Sequence, residues 1–397
     1  MGSASILIKN TGIYLESGFI NDGWLLIENG KIAEFGTEIP ASVSDQAEVI
    51  SAAPGSFLIP GFIDGHIHGA GGADTMDATP EAIRTMAGVL PAEGTTSFLA
   101  TTITQEKGAI DTAVRNAGSY IREHSRPGEA EVLGIHLEGP FINPSKKGAQ
   151  PETYILDPDL ELFKEWQNIS GNAIKLVTTA PEQPGGLPFI TYLNETGVIA
   201  SMGHTDATYE QMEAAVRAGA RQVTHLFNGM RGLHHREPGT AGAAILLKEL
   251  KAEVIADGFH IRPEMIKLAV NAKGKDGIIL ITDSMRAKCL HAGKYDLGGQ
   301  EVTVSGGQAL LEDGTLAGSI LKMFDGVKNM QSFTGMNLAD AVQLASENPA
   351  KQLGVFDRKG SIAKGKDADL VLVSADMNII MTFCRGVPGY KSSTENF

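Results

Sequence analysis

Apolar runs of strand type alternate with amphipathic stretches of helical type along most of the chain, and this alternation constrains the fold more than any other feature. Eight strand-type runs can be counted, at 57–68, 96–102, 132–141, 174–180, 198–204, 222–228, 252–260 and 277–284. Helical stretches between and after them include 80–91, 110–124, 209–219, 263–272 and a last one near 337–353. Repeated strand–helix units predict a parallel sheet, and eight of them predict an α/β fold of the (β/α)8 TIM barrel type.

The two ends of the chain have a different character. Short β-type runs fill the first part, where Asn29-Gly30 is a strong signal for a hairpin turn, and β-type runs return at 370–373 and 379–383. A glycine-rich, β-like segment at 292–318 interrupts the barrel pattern before its last helix. We therefore expect both termini to build one small β-sandwich domain, with its N-terminal part at 1–56, the catalytic barrel at 57–357 and its C-terminal part at 358–397.

The charge balance argues against two classes of partner. The chain has 33 Lys and Arg residues against 47 Asp and Glu residues, a net charge of −14, which disfavours nonspecific binding to nucleic acid or to an anionic membrane. No apolar stretch reaches the ~18 residues of a membrane helix, and no basic-then-apolar signal is present. Two distant cysteines, Cys289 and Cys384, fit a reducing compartment. The expected location is the cytoplasm.

Polar side chains collect where the predicted strands end, which is where a parallel barrel carries its chemistry. His66 and His68 are one residue apart, so both imidazoles point the same way on a strand. Singly, such residues could be helix caps or satisfied core residues, but several on one rim indicate a shared site. They are His66 and His68 on the first strand, Glu138 on the third, His204 on the fifth, His225 on the sixth, His260 on the seventh and Asp283 on the eighth.

This set of side chains predicts a metal centre. Without His260, it contains four histidines and two carboxylates, which suit one or two divalent cations such as Zn or Fe, whereas Ca and Mg prefer oxygen ligands only. Glu138 is placed to bridge two ions, and a metal-bound water becomes a nucleophile near neutral pH. Asp283 is then the natural proton shuttle. His136, two residues before Glu138, is expected to face the barrel interior and to orient Glu138.

The motifs around these residues resemble the amidohydrolase superfamily. The segment 134–141, Gly-Ile-His-Leu-Glu-Gly-Pro-Phe, resembles the signature of the N-acetylglucosamine-6-phosphate deacetylases within it, and the similarity runs from about Leu7 to Cys384. Further matching motifs lie at 147–149, 201–207, 224–230, 235–239, 256–260 and 316–319.

The resemblance implies roles for individual residues. Glu138, His204 and His225 would hold one metal, while His66 and His68 would add a second ion that shares Glu138. Asp283 would act as general base and then general acid, and it counts among the metal ligands. The implied substrate contacts are His260 with the sugar hydroxyls, Asn228, Gly229 and Arg236 with the 6-phosphate, and Gln150, Leu316, Ala317 and Gly318 elsewhere. The loop of Arg236 would cross a homodimer interface.

Two details refine this expectation. Relatives often carry a histidine where this chain has Gln150, which can donate a hydrogen bond but no proton, so a metal is expected to polarise the carbonyl. Glu138 stands where other superfamily members use a carboxylated lysine. The expected reaction converts N-acetyl-D-glucosamine 6-phosphate to D-glucosamine 6-phosphate and acetate, in amino-sugar catabolism and recycling. The galactosamine epimer, another amide and a metal-free scaffold remain alternatives.

Overall fold

The structure is a computed structural model that describes residues 5–40, 43 and 47–393, so the predicted domain limits at residues 1 and 397 lie outside it. Its first five strands are β1 (Ile6–Leu15), β2 (Gly18–Glu28), β3 (Lys31–Gly36), β4 (Glu48–Ser51) and β5 (Phe57–Pro60). The predicted hairpin is confirmed: Asn29 and Gly30 join β2 to β3 with φ of 52° and 77°, the positive values that a tight two-residue turn requires.

Eight parallel strands form the barrel, in which each strand pairs with its neighbours along the chain. A bridge between Ile67 and Ser284 closes the ring, supported by a hydrogen bond from Asp283 N to His66 O of 2.8 Å. The predicted (β/α)8 barrel is therefore confirmed. In chain order the strands are β6 (Phe62–Ile67), the hairpin strands β7 (Gly69–Ala70) and β8 (Ala73–Asp74) outside the barrel, then β9 (Thr95–Thr101), β10 (Glu131–Glu138), β11 (Ile174–Thr179), β12 (Ile199–Met202), β13 (Gln222–Val223), β14 (Lys251–Ile255) and β15 (Ile278–Ile281).

Helices cover the outside of the barrel with their apolar faces. Helix α5 shows how the sequence sets the limits: Thr208 and Gln211 form a capping box at its start, and Gly219 ends it with φ of 119°. The predicted last helix is instead two helices that meet at Ser346. The helices are α1 (Pro80–Val89), α2 (Lys107–Glu123), α3 (Leu160–Ile169), α4 (Gly186–Glu195), α5 (Tyr209–Ala218), α6 (Gly239–Leu246), α7 (Pro263–Lys273), α8 (Met323–Thr334), α9 (Leu338–Ala345) and α10 (Glu347–Gln352). Within the described part of the chain, none is long and apolar enough to cross a membrane.

An antiparallel three-stranded sheet stands on the rim of the barrel, where the sequence indicated a β-like insertion. It consists of β16 (Gly293–Leu297), β17 (Gln300–Ser305) and β18 (Gln308–Leu310). Its apolar side packs with Ile103 of the barrel in a small core of its own. Two side-chain amides fasten it: Gln105 donates to Gly298 O (2.8 Å), and Gln300 donates to Ala149 O (2.6 Å).

Both termini build one separate sheet, as predicted. The C-terminal strands β19 (Leu370–Val373), β20 (Ile379–Cys384) and β21 (Val387–Lys391) join the first five strands, because β5 pairs with β19 on one side and with β1 on the other. The strands surround a second hydrophobic core.

The run predicted as one strand at 57–68 is two strands that belong to different sheets. Residues 57–60 pair with the terminal sheet, and β6 begins at Phe62 in the barrel. Gly61 makes the crossing, where a Cβ atom would lie 2.3 Å from Thr96 Oγ1. The division predicted at residue 57 therefore moves to Gly61.

A buried ionic cluster connects the terminal sheet to the barrel. Arg358 donates to Glu131 on β10 (2.9 Å) and to Asp367 ahead of β19 (2.8 Å), and Lys359, only 1% exposed, lies 2.8 Å from Glu131. Burial would raise the pKa of Asp367, but the cations of Lys31, Lys359 and Arg358 lower it to about 2. The carboxylate is therefore part of what holds the two sheets together.

We predict that Asp367→Asn lowers the free energy of unfolding at pH 7 by about 2 kcal/mol, because the side chain loses its charge interactions with Lys31, Lys359 and Arg358. The effect is moderate because a partly solvated ion pair contributes less than a fully buried one. Because the pKa of Asp367 is lower in the folded state, its carboxylate stabilises the fold at pH values above 3.8, the pKa in the unfolded state. This stabilisation is lost as the pH falls toward 2. Urea unfolding should thus show a smaller difference from wild type at pH 3 than at pH 7. The exposed Asp376→Asn serves as control, and a difference that is constant with pH would contradict the prediction.

Candidate metal centre

The six predicted ligands meet at the carboxyl ends of the barrel strands. His66 lies at the end of β6 and Glu138 at the end of β10. His204, His225 and Asp283 follow later strands with φ of 47°, 29° and 48°, values that non-glycine residues adopt only at a cost. This sharp turn after each strand brings the side chain to the mouth of the barrel.

Glu138 is the centre of the arrangement. Its Oε1 lies 3.1 Å from His225 Nε2, 3.3 Å from His204 Nε2 and 3.4 Å from His66 Nε2, and its Oε2 lies 3.3 Å from His68 Nε2. The ligand atoms fall into two groups, His66 with His68 and Asp283, and Glu138 with His204 and His225. Within each group all ligand atoms lie within 4.8 Å of one another.

The hydrogen bonds at the far side of each imidazole show that the centre fits a cation. His204 Nδ1 contacts Lys146 O (2.8 Å) and His225 Nδ1 contacts Asn228 O (3.1 Å). A carbonyl oxygen only accepts, so each Nδ1 carries a proton, and a ring without a second proton presents the lone pair of Nε2 as a ligand. The two Nε2 atoms lie 3.1 Å apart, and both face Glu138 Oε1. A divalent ion between these three atoms would supply the positive charge that this arrangement favours.

The pKa shifts of the site residues also indicate that the centre favours positive charge. The pKa of the His66 imidazole is raised well above its usual value, since burial would lower it but the charges of Asp283 and Glu138 outweigh burial. The pKa of His68 rises to about 9 against burial, through hydrogen bonds to the same carboxylates. Burial would raise the pKa of Asp283, but the charge of His66 and the hydrogen bond from His68 lower it to about 2. Without an ion, protonated His66 and His68 would balance the carboxylates, and a bound cation would take the place of those protons.

A cavity of about 260 Å³ opens above the centre. Most of the predicted substrate contacts line it: Gln150, Asn228, Gly229, His260, Leu316 and Gly318. Ala317 is fully buried behind the wall, and Arg236 is exposed on a loop away from the lining of its own chain. The insertion contributes Leu297, which faces the cavity beside Ile103.

Gln150 holds Glu138 in place. Its Nε2 donates to Glu138 Oε2 (2.7 Å), and its Oε1 accepts from Thr104 N (2.7 Å). Because a backbone amide can only donate, the orientation of the Gln150 side chain is fixed. The sequence assigned the orienting role to His136, which was wrong: His136 Nε2 bonds to Thr178 Oγ1 (2.7 Å) deeper in the barrel.

His260 is oriented by a carboxylate of its own loop. Asp257 Oδ2 lies 2.6 Å from His260 Nδ1, and Asp257 Oδ1 accepts from the backbone N of His260. Burial would raise the pKa of Asp257, but its hydrogen bond with His260 and the charge of that ring lower it. This arrangement leaves Nε2 of His260 free of the loop's own hydrogen bonds.

A set of buried charges lies beneath the centre, and sequence reasoning missed Lys288, Glu93 and Glu253 among them. Lys288 is fully buried, with Nζ 2.6 Å from Glu93 and 3.8 Å from Asp64. Asp64 accepts from Thr282 N and Oγ1 and so ties β6 to β15. Glu253 on β14 lies 3.0 Å from His66 Nδ1. The one available signal was a charged residue inside a strand-type run, as at Asp64 and Glu253.

Comparison with known proteins gives consistent matches over most of the chain. The model of the amidohydrolase family matches residues 57–388. The N-acetylglucosamine-6-phosphate deacetylase of Bacillus subtilis (strain 168) is 52% identical over 383 residues, which cover 96% of each chain.

Solved structures agree in fold. The N-acetylglucosamine-6-phosphate deacetylase from Thermotoga maritima matches with a TM-score of 0.87 and 36% identity, over 98% of this chain and 100% of that one. A mutant of the deacetylase from Mycobacterium smegmatis, in complex with N-acetyl-D-glucosamine-6-phosphate, matches with a TM-score of 0.90 and 30% identity over the same shares.

Proposed function

This chain belongs to the amidohydrolase family, and we propose that it hydrolyses the acetamide of N-acetyl-D-glucosamine 6-phosphate to D-glucosamine 6-phosphate and acetate, a step of amino-sugar metabolism. One observation carries the proposal: two groups of candidate metal ligands lie side by side at the floor of a cavity, and Glu138 of one group approaches His66 and His68 of the other within 3.4 Å. The identity of the relatives supports the amide and the phosphorylated sugar as substrate.

We propose two divalent ions, Zn or Fe, as the cofactors. His66, His68 and Asp283 would hold one, and Glu138 with His204 and His225 would hold the other. When bound, such ions polarise a carbonyl and lower the pKa of a water molecule.

Asp283 would move the proton. Its pKa of about 2 means that the side chain is a carboxylate at neutral pH, so it can accept a proton from the attacking water. It lines the cavity, where the scissile nitrogen would lie, and can return the proton to that nitrogen. A protonated amine leaves far more readily, so this transfer assists breaking of the C–N bond.

The substrate would be held along the cavity wall. Asn228 and Gly229 are proposed to bind the 6-phosphate and His260 the sugar hydroxyls, while Leu316 and Gly318 would border the sugar. Arg236 lies outside the cavity of its own chain, so we propose a homodimer in which this loop completes the partner's phosphate site. A cytoplasmic location agrees with two cysteines that form no disulfide.

Replacing Asp283 by Asn should leave fold and metal content intact and lower kcat by about 10²- to 10⁴-fold, because the amide cannot take up the proton. Acetate release and elemental analysis of the same preparation measure the two effects. The exposed Asp313→Asn is the matched control. Activity of Asp283→Asn close to that of wild type would refute the proton-transfer role.

Replacing Arg236 by Ala should raise KM for N-acetyl-D-glucosamine 6-phosphate by about 10- to 100-fold, since a charged hydrogen bond to phosphate is lost. The kinetics of the unphosphorylated sugar should not change. Arg115→Ala, an exposed residue of α2, controls for the loss of a surface charge. An unchanged KM would contradict the phosphate assignment, and a parallel assay with the galactosamine epimer tests the choice of sugar.

The double variant His66→Ala, His68→Ala removes two side chains from one ligand group and leaves the other complete. We expect the metal content to fall from about two ions per chain to about one, because three ligands of the second group remain. Elemental analysis after dialysis measures this, with His124→Ala, a half-buried histidine outside both ligand groups, as control. Retention of both ions would rule out a site at His66 and His68.

A further inference from the structure

Glu253 lies beneath the metal centre and touches both ligand groups with one oxygen. Its Oε2 lies 3.0 Å from His66 Nδ1 and accepts from the backbone N of His225 at 3.1 Å. Its Oε1 accepts from Gln222 Nε2 at 2.6 Å. The residue is fully buried and does not line the cavity, so it cannot meet the substrate.

A carboxylate at this place requires an explanation. Glu253 stands in β14 between Ala252 and Val254, which belong to the main hydrophobic core. Burying an ionised carboxylate in a barrel interior is costly unless hydrogen bonds and an opposite charge compensate for it. Three donors supply the hydrogen bonds, and a cation held by His66 and its neighbours would supply the opposite charge.

We propose that Glu253 is a positioning residue for the centre, an inference that rests on the proposed metal-dependent function. Its hydrogen bond keeps the proton on His66 Nδ1, so the lone pair on Nε2 faces Glu138 and Asp283. The negative charge makes the His66 ring a stronger donor to a cation. The second bond of the same oxygen fixes the backbone where His225 leaves β13.

The two ligand groups depend on Glu253 in different ways. His204 and His225 are oriented by the neutral carbonyls of Lys146 and Asn228, whereas His66 alone is backed by the Glu253 carboxylate. The charge of Glu253 therefore acts on the group of His66, while its hydrogen-bonding geometry serves both groups. This difference makes charge and geometry separable by mutation.

Glu253→Gln should remove the charge and retain the hydrogen bonds. The new amide oxygen can accept from His66 Nδ1 and His225 N, and its NH2 group would face Gln222. Gln222 Oε1 is buried and has no hydrogen-bond partner among the described residues, so a turn of that amide lets this oxygen accept from the new NH2 group. Glu253→Ala, in contrast, removes charge and geometry together.

The experiment titrates the metal-free proteins with Co²⁺ and Zn²⁺ in competition with a chelator and records the Co²⁺ absorption spectrum. We expect Glu253→Gln to bind the ion of the His66 group about 10- to 100-fold more weakly, with the other ion unchanged within about threefold. Glu253→Ala should weaken both. The binding step that is lost in the His66→Ala, His68→Ala variant is assigned to the His66 group. This assignment shows which of the two ions has the changed affinity in the Glu253 variants.

Gln222→Met is the matched control, since it breaks a hydrogen bond of Glu253 and leaves the charge. It should keep both affinities within about threefold of wild type. Equal losses in Glu253→Gln and Gln222→Met would overturn the proposal, because disturbed packing around β14 would then explain both. Unchanged affinities and spectrum in Glu253→Gln would overturn it as well. The titration needs no substrate, so failure of the proposed hydrolysis is recognised separately, as wild-type protein that binds metal but releases no acetate.

Discussion

The structure depends on one shared group, the Glu138 carboxylate that faces four imidazole Nε2 atoms. The carboxylate and the four nitrogens lie 3.1–3.4 Å apart and buried, so the cluster needs positive charge among them, from protonated rings or from a bound ion. The protein supplies the means to hold it. The far nitrogens of His204, His225 and His66 are bound to two backbone carbonyls and to Glu253, and Gln150 fixes the carboxylate itself. The barrel walls are therefore a frame that keeps six side chains in an arrangement they would not adopt freely.

The convergence of the six side chains could be predicted from the sequence because it follows from where the strands end. In a parallel barrel every strand finishes on the same rim, so polar residues after buried runs meet whatever the details of the loops. The contacts of single side chains were harder to predict. His136 and Gln150 both lie near Glu138 in sequence, but which of them bonds to it depends on side-chain torsions and on Thr104 from another loop. Glu253 was missed because its partners come from two other strands.

The ends of the first barrel strand are a second feature that the sequence pattern does not determine. Hydrophobic periodicity indicates that 57–68 is strand-like, but it carries no information about which sheet each part joins. Pairing of β5 with β1 and β19 decides this, and β19 lies at the other end of the chain. The same reasoning applies to Arg236. Its exposed position in a single chain follows from the fold, but the sequence pattern of one chain does not show whether this residue contacts a second chain.

The closure of the barrel has a consequence for how the protein matures. The first and last barrel strands meet in a short seam, where Asp64 binds Thr282 across 218 residues of sequence and Asp283 bonds to His66. The ligand group of His66, His68 and Asp283 straddles that seam, so it is complete only after the ring has closed. Contacts of such large chain separation carry a high entropy cost of loop closure. An ion held by this group would link the two edges of the closed ring. A chain in which β15 has not docked has His66 and His68 but lacks Asp283 at the site, so it would hold such an ion less tightly.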